Sequence, residues 1–445
     1  GLNVTQSGGT ISGPINASAT GGNVSLTQAG GYTLGTLNAT GAVAVTSTAA
    51  DVVVGAGANI ASGTGTTLAG LNVTQSGGTI SGLINATATS GDVSLTQAGG
   101  YTLGLLAAPV SVTVSTGGAI ADGNAGLNVV TPSATLSAAT GVGSIADPLE
   151  TQVAGLAVSS SGGEIGIANS GDLTLGNVTF GGANAQIATT GLMVATGTVS
   201  VLAGNLTLGA NNGMVMVNNN VTVSGDLALN SGIGDMGFDG ASVSGNNVTL
   251  NGNNLFVGFT TSTAPTTVSA GTLMTATSAG NLNVLGGANS GANALLEGMN
   301  VNLTVGTTAG FLNVAGGSNG ATAQISSVSP TTINVFFPNL GSGGYFVDGV
   351  EGAVTNGNTG FFAGGQPAVL AQNLIVTYGL APPPPPPPPP ATGGGEGEET
   401  TADDQTTNNL NTISEIITGP ETQGDGSTGG ATPDEKEKKG LPTCK

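Results

Sequence analysis

From Gly1 to Glu435 the chain has no lysine, arginine or histidine; its four cations, Lys436, Lys438, Lys439 and Lys445, all fall in the last ten residues. Proton shuttles near neutral pH, anion clamps and activated nucleophiles are built mostly from those three residue types, so most enzyme classes are disfavoured. Nucleic acid binding needs Lys and Arg to neutralise phosphates, and a net charge of -20 runs against it. An anionic membrane surface is disfavoured for the same reason. Tryptophan is absent and charged residues make up only 6% of the chain, against about a quarter in an ordinary globular protein, so i,i+4 charge pairs cannot support long helices. No apolar run of about 18 residues exists, so no segment reads as a membrane-spanning helix. The single cysteine, Cys444, has no intrachain partner for a disulfide, and without histidine it belongs to no zinc site.

What remains is Gly, of which there are 80, with small aliphatic residues and Asn, Thr and Ser. These are modest to poor helix formers and suit extended strands joined by tight turns. Gly1 to Gly35 recurs at Gly70 to Gly104, differing only at Pro14/Leu83, Ser18/Thr87, Gly21/Ser90 and Asn23/Asp92, and a third GLNV opens at Gly126. Such self-similarity marks a stacked repeat. A finer spacing, close to twenty residues, separates Gly204, Gly225 and Gly245 in SVLAGNLTLG, TVSGDLALN and SVSGNNVTLN. Within these units apolar and polar residues alternate, as in Leu206-Thr207-Leu208 and Val221-Thr222-Val223, the period of a strand with one buried face.

The expected fold is therefore all-β: a right-handed parallel β-helix (solenoid) with a C-terminal cap and a disordered proline-rich tail. At one coil per twenty residues, about eighteen or nineteen coils stack at roughly 4.8 Å each. A β-sandwich array is the alternative; it calls for larger core residues and for hairpin turns at much closer spacing. The repeats are assigned to 1–330. An aromatic-rich cap is assigned to 331–380, because Phe336, Phe337, Tyr345, Phe346, Phe361 and Phe362 cluster there and an open solenoid end needs closing. Residues 381–395 form a linker whose Pro382–Pro390 run predicts a polyproline II rod, and 396–445 an acidic disordered tail with a Lys/Cys terminus. The chain starts without Met, in the middle of a repeat, so it is expected to be a processed or truncated piece with any export signal upstream.

Several segments resemble the large secreted adhesins of the filamentous-haemagglutinin type, which leave the cell through an outer-membrane β-barrel partner in two-partner secretion. GVGSIADPLETQVAGLAVSSSGGEIGIANSGDLTLG, from Gly141 to Gly176, is similar to the family's pattern of a Gly-Ser-Ile turn, an Asn/Asp-Pro-Leu step and a closing leucine strand. FFPNLGSGGYFVDGVEGAV and TGFFAGGQPAVLAQNLIVTYG resemble the region that ends the passenger, and the proline run, acidic linker and GLPTCK terminus complete the likeness. The resemblance implies an extracellular adhesin or biofilm-matrix protein on the bacterial surface, with the secretion transporter as partner. It also implies attachment through the C-terminal end, where Cys444, Lys436, Lys438 and Lys439 lie; the pair of terminal cysteines that some relatives carry is here a single one. Host or matrix glycans and proteins are the expected ligands, self-association into fibres is the alternative role, and no cofactor or metal is expected.

Other motifs read as structure. Gly316-Gly317-Ser318-Asn319-Gly320 matches a nucleophile elbow but has no histidine to serve it. Gly141 to Ala146 fits a dinucleotide fingerprint, yet Asp147-Pro148 follows where a helix should run, so a turn is expected. Asp235 with Asp239, Asp147 with Glu150, and Asp348 with Glu351 are the carboxylate pairs that glycosidase chemistry could use, against a reading as turn-capping residues. Calcium-loop repeats do not occur, and TxT is too irregular along the chain to suggest an ice-binding surface. Sequons such as Asn3-Val4-Thr5, Asn72-Val73-Thr74, Asn205-Leu206-Thr207 and Asn247-Val248-Thr249 are expected by chance in so Asn- and Thr-rich a chain.

Overall fold

A computed structural model describes residues 1–307, 310–327, 332–338, 345–347, 350–351, 361–363 and 373–378. It is an all-β solenoid: apart from one short 3-10 turn at Ser318–Gly320, the regular elements among the described residues are strands. Alternation is what builds it. In Val24–Gln28 the side chains of Val24, Leu26 and Gln28 are buried while Ser25 and Thr27 face outward. Up to Ala315 the strands lie parallel to those one coil later, in register apart from shifts at the corners. Val4, Val24, Val43, Thr66 and Ile84 stack in one such ladder. Val178, Val199, Val221, Val243, Val268, Leu296 and Ile325 stack in another and are wholly buried. Like residues above like residues keep each layer the same size, so small aliphatic side chains fill most of the interior, with Tyr32, Tyr101, Phe180, Phe238 and Phe337 as the large rings among them.

Coils turn their corners at irregularities in the ladders. Ser242–Gly252 and Thr266–Ser278 each run along two walls, with a register shift between Gly245 and Asn247 and another between Ala270 and Leu273. The coil length is not constant. Val4 stacks beneath Val24, whereas Met274 stacks beneath Val301 and Val301 in turn beneath Ile333, each step longer in sequence than the one before it. The chain therefore makes fewer turns than the eighteen or nineteen expected from a uniform period, because loops at the corners lengthen towards the C-terminal side.

Parallel stacking continues past residue 330: Thr332–Phe337 pairs with Ala294–Val305 on one side and Asn373–Tyr378 on the other. The antiparallel pairings among the described residues also occur in this part, between Ala323–Ser327 and Phe361–Ala363 and between Tyr345–Val347 and Val350–Glu351. Of the aromatics assigned to closure, Phe337 is fully buried, Phe336 and Tyr345 are half-buried, and Phe346 meets Phe311 edge-on with ring centres 5.4 Å apart. Phe361 and Phe362 lie on a strand whose side chains are outside the described set. The proline run, Lys436, Lys438, Lys439 and Cys444 lie outside the described residues.

The long repeat carries a buried polar cluster that it builds twice. Tyr101 Oη donates to Gln75 Oε1 at 2.7 Å, Gln75 Nε2 reaches Gln97 Oε1 at 3.3 Å, and Ile80 N donates to Gln97 Oε1 at 2.8 Å. Each partner recurs at the matching position of the first copy: Tyr32 Oη to Gln6 at 2.7 Å, Gln6 to Gln28 at 3.4 Å, and Ile11 N to Gln28 at 2.8 Å. Burial pushes both phenols above their ordinary pKa, and the bond to Gln6 partly offsets this at Tyr32. Their matching surroundings explain why Gln and Tyr are among the residues the two copies share.

Candidate functional site

Most acidic and amide side chains at the coil edges serve the stack. An Asn or Asp at one corner turns its Oδ1 to a backbone N–H about one coil later, so that the corner of each coil is capped by the one before. Asn72 Oδ1 accepts from Asp92 N at 2.9 Å, while Asp51 Oδ1 accepts from Asn72 N at 3.1 Å. Asn254 Oδ1 accepts from Asn281 N at 2.8 Å, and Asn281 Oδ1 from Phe311 N at 2.9 Å. A glycine precedes many of these donating N–H groups for a steric reason: a Cβ on Gly91 would overlap Asn72 Oδ1, and one on Gly22 would overlap Asn3 Oδ1. The sequence signature is Gly-Asn/Asp followed by an apolar residue, as at Gly22-Asn23-Val24, Gly91-Asp92-Val93 and Gly225-Asp226-Leu227.

This also accounts for the sequons. Where Asn caps the corner, the next residue points inward and a Thr or Ser after it points outward, Asn-x-Thr/Ser is written into the coil, as at Asn3, Asn72 and Asn205. Asn3, Asn72 and Asn205 all use their side-chain oxygen in this way, and Asn247 donates to Asp226 Oδ1 through both its backbone N, at 3.2 Å, and its Nδ2, at 2.8 Å.

The carboxylate pairs fare differently from the acid/base reading. Asp235 and Asp239 flank the strand Met236–Phe238, so they stand at its two ends. Asp235 Oδ1 accepts from Asn254 N at 3.1 Å and from Asn254 Nδ2 at 2.8 Å, and Asp239 Oδ1 accepts from Ser262 Oγ at 2.6 Å. Phe238, between them, is fully buried and offers no platform for a sugar. Glu150 Oε2 is buried without a hydrogen-bond partner, and burial, then the charges of Asp122 and Asp147, raise its pKa above the ordinary carboxylate value against a backbone hydrogen bond that lowers it. Asp348 lies outside the described residues. No group of three or more His, Cys, Asp and Glu among the described residues is placed to hold a metal ion. Gly141 to Ala146 forms a turn, with Asp147 N donating to Ser144 Oγ at 3.0 Å, and Ser318 lies in the exposed 3-10 turn rather than between a strand and a helix.

The feature that sequence reading missed is on the outer wall. Ser76, Thr96, Ser115, Ser137, Ser159, Thr179, Ser200, Thr222, Ser244 and Ser269 are successive ladder partners, a row of ten hydroxyl residues that crosses ten coils without interruption. None of them is buried, while their chain neighbours Leu95, Val114, Leu136, Val158, Val178, Val199, Val221, Val243 and Val268 point inward. Between residues 72 and 138 a second outward row, Thr74, Ser94, Thr113 and Thr135, runs beside the first. Rows repeat about every 4.8 Å along the stack and lie roughly 6.8 Å apart along a strand. The sequence separation between neighbours in the row varies from coil to coil, shortest from Thr96 to Ser115 and longest from Ser244 to Ser269, and this variation conceals the row from any search for a fixed TxT period.

Near its middle the row runs along a groove of about 290 Å³. Ser137, Ser159 and Thr179 belong to the row and line the groove, with Ser161, Gly181 and Leu202 alongside. Ser159 Oγ donates to Ser137 Oγ at 3.0 Å, so these adjacent hydroxyls are linked along the stack. Leu202 is 69% exposed, an apolar side chain standing beside a hydroxylated wall. No protein-family model, curated protein or solved structure matches the chain.

Proposed function

We propose that the chain is the solenoid part of a secreted or surface-anchored bacterial adhesin of the filamentous-haemagglutinin type, non-enzymatic, that mediates attachment or biofilm cohesion. The observation that carries this reading is the ten-coil row of uncharged hydroxyl residues on the outer wall, in a chain without one cation before Lys436. A stack of coils that repeats one surface chemistry many times is suited to multivalent, weak contact rather than to turnover at one point. The engagement of Asp235 and Asp239 in holding the coils together adds support, since they form one of the carboxylate pairs that hydrolysis could use.

In this proposal an outer-membrane transporter exports the chain, and the C-terminal end, with Lys436, Lys438, Lys439 and Cys444, remains at the cell surface. The test is display of the full chain on a non-adherent bacterial host. Expressing cells are expected to aggregate or to stay on matrix-coated surfaces under flow. Retention no better than that of cells bearing only residues 381–445 would overturn the reading, and regular polymers of the purified chain in electron micrographs would replace it with that of a fibre subunit.

A further inference from the structure

We infer that the hydroxyl row, where it runs along the groove beside Leu202, binds a neutral polysaccharide chain aligned with the stack of coils. The inference deepens the adhesin reading and rests on it for its biological setting, but the chemistry argues for itself. A Ser or Thr hydroxyl both donates and accepts hydrogen bonds, and so does each hydroxyl of a sugar; a row of one is complementary to a row of the other in either chain direction. The repeat of the row, about 4.8 Å per coil, is a little shorter than one sugar unit in an extended glycan, so contacts made at one coil recur over the next few.

Charge narrows the class. No Lys, Arg or His lies within the described residues, and the chain's net charge is -20, so a uronate, sulfated or phosphorylated glycan would meet only repulsion. Leu202 narrows it further. Sugar rings have apolar faces as well as hydroxyl edges, and an exposed leucine beside Ser159 and Thr179 offers a surface for the former while the row engages the latter. A flat surface suited to ordering water or ice would not need this exposed apolar flank. Individually weak contacts repeated from coil to coil give useful affinity only to a long ligand, which predicts a steep dependence on chain length.

The experiment is titration of the full chain with cello-, laminari- and maltohexaose, with dextran and neutral β-glucan polymers, and with heparin and alginate as anionic controls. A neutral polymer is expected to bind at least tenfold more tightly than its own hexaose, with little dependence on salt. The variant Ser159→Ala/Thr179→Val/Leu202→Ser should weaken that binding at least tenfold while its circular dichroism and melting temperature stay those of the parent. Because Thr179→Val could perturb the wall, Leu202→Ser alone is a second variant, expected to weaken binding several-fold from a position that holds no coil in place. Binding of anionic glycans alone, or neutral-glycan binding unchanged in both variants, overturns the inference. So does ice shaping by the parent that both variants lose, which would assign the row to ice. Cell retention that persists without any glycan binding would overturn this inference and leave the adhesin reading intact; glycan binding without cell retention would do the reverse.

Discussion

The hydroxyl of Tyr101 donates to Gln75 Oε1 at 2.7 Å from the following coil, and both side chains are almost completely buried. The equivalent pair, Tyr32 and Gln6, has the same 2.7 Å bond, but Gln6 is only partly covered. Tyr101→Phe strands a buried amide oxygen and should cost about 1–3 kcal/mol. Tyr32→Phe should cost clearly less, since water can replace the lost donor at Gln6. Urea denaturation of the two variants against the parent checks both; equal losses would mean that the exposure of Gln6 does not matter.

Gly91→Ala drives a methyl group into Asn72 Oδ1, which already accepts from Asp92 N. A loss of about 1–3 kcal/mol is expected, as for other overpacked sites. Adding Asn72→Ala removes the atom that the methyl meets, so the double variant should lose less than the sum of the two single changes. The double-mutant cycle measures that coupling directly, and strict additivity would refute the corner-capping account of the glycines.

Glu150 supplies the pH dependence. Its pKa is raised in the folded chain, so between the ordinary carboxylate value and the raised one the folded state holds more protons than the unfolded state. Stability from this group is therefore complete below the ordinary value and declines as pH rises through the raised one. Glu150→Gln should melt higher than the parent at about pH 7, and the advantage should vanish near pH 3.5 or so, where both side chains are neutral. Melting curves at the two pH values decide it; an advantage at low pH alone would reverse the sign assigned here.

Phe180 is fully buried and stacks between Ser160 and Val201, a large ring in a row otherwise made of small side chains. Phe180→Ala should cost about 3–5 kcal/mol through the cavity it leaves. The neighbouring Leu202→Ser should change the melting temperature little, because that side chain is mostly in water. Calorimetry of both variants tests whether the wall and the interior are as separate as the alternation implies.

The solenoid was legible because alternation and self-similarity are local properties. Leu206-Thr207-Leu208 and the two copies of GLNVTQSGG declare strands and stacking without any knowledge of distant contacts. The turn-capping reading of Asp235 was legible for the same reason, since Asx residues beside Gly favour corners. What sequence could not disclose was which residues of successive coils stand over one another. Ser137 stands beneath Ser159, Thr96 beneath Ser115 and Ser244 beneath Ser269, and no two of these pairs share a sequence separation. Loop lengths at the corners absorb these differences in three dimensions and restore a straight row.

The ladders join each coil only to its two neighbours, and their backbone hydrogen bonds point along the stacking direction. A pulling force transmitted along that direction therefore loads one layer of bonds at a time instead of shearing many together. The molecule should yield as a zipper does, coil after coil at nearly constant tension, each step releasing about twenty residues or roughly 70 Å of slack chain. The stack would thus lengthen under load in successive steps instead of failing all at once.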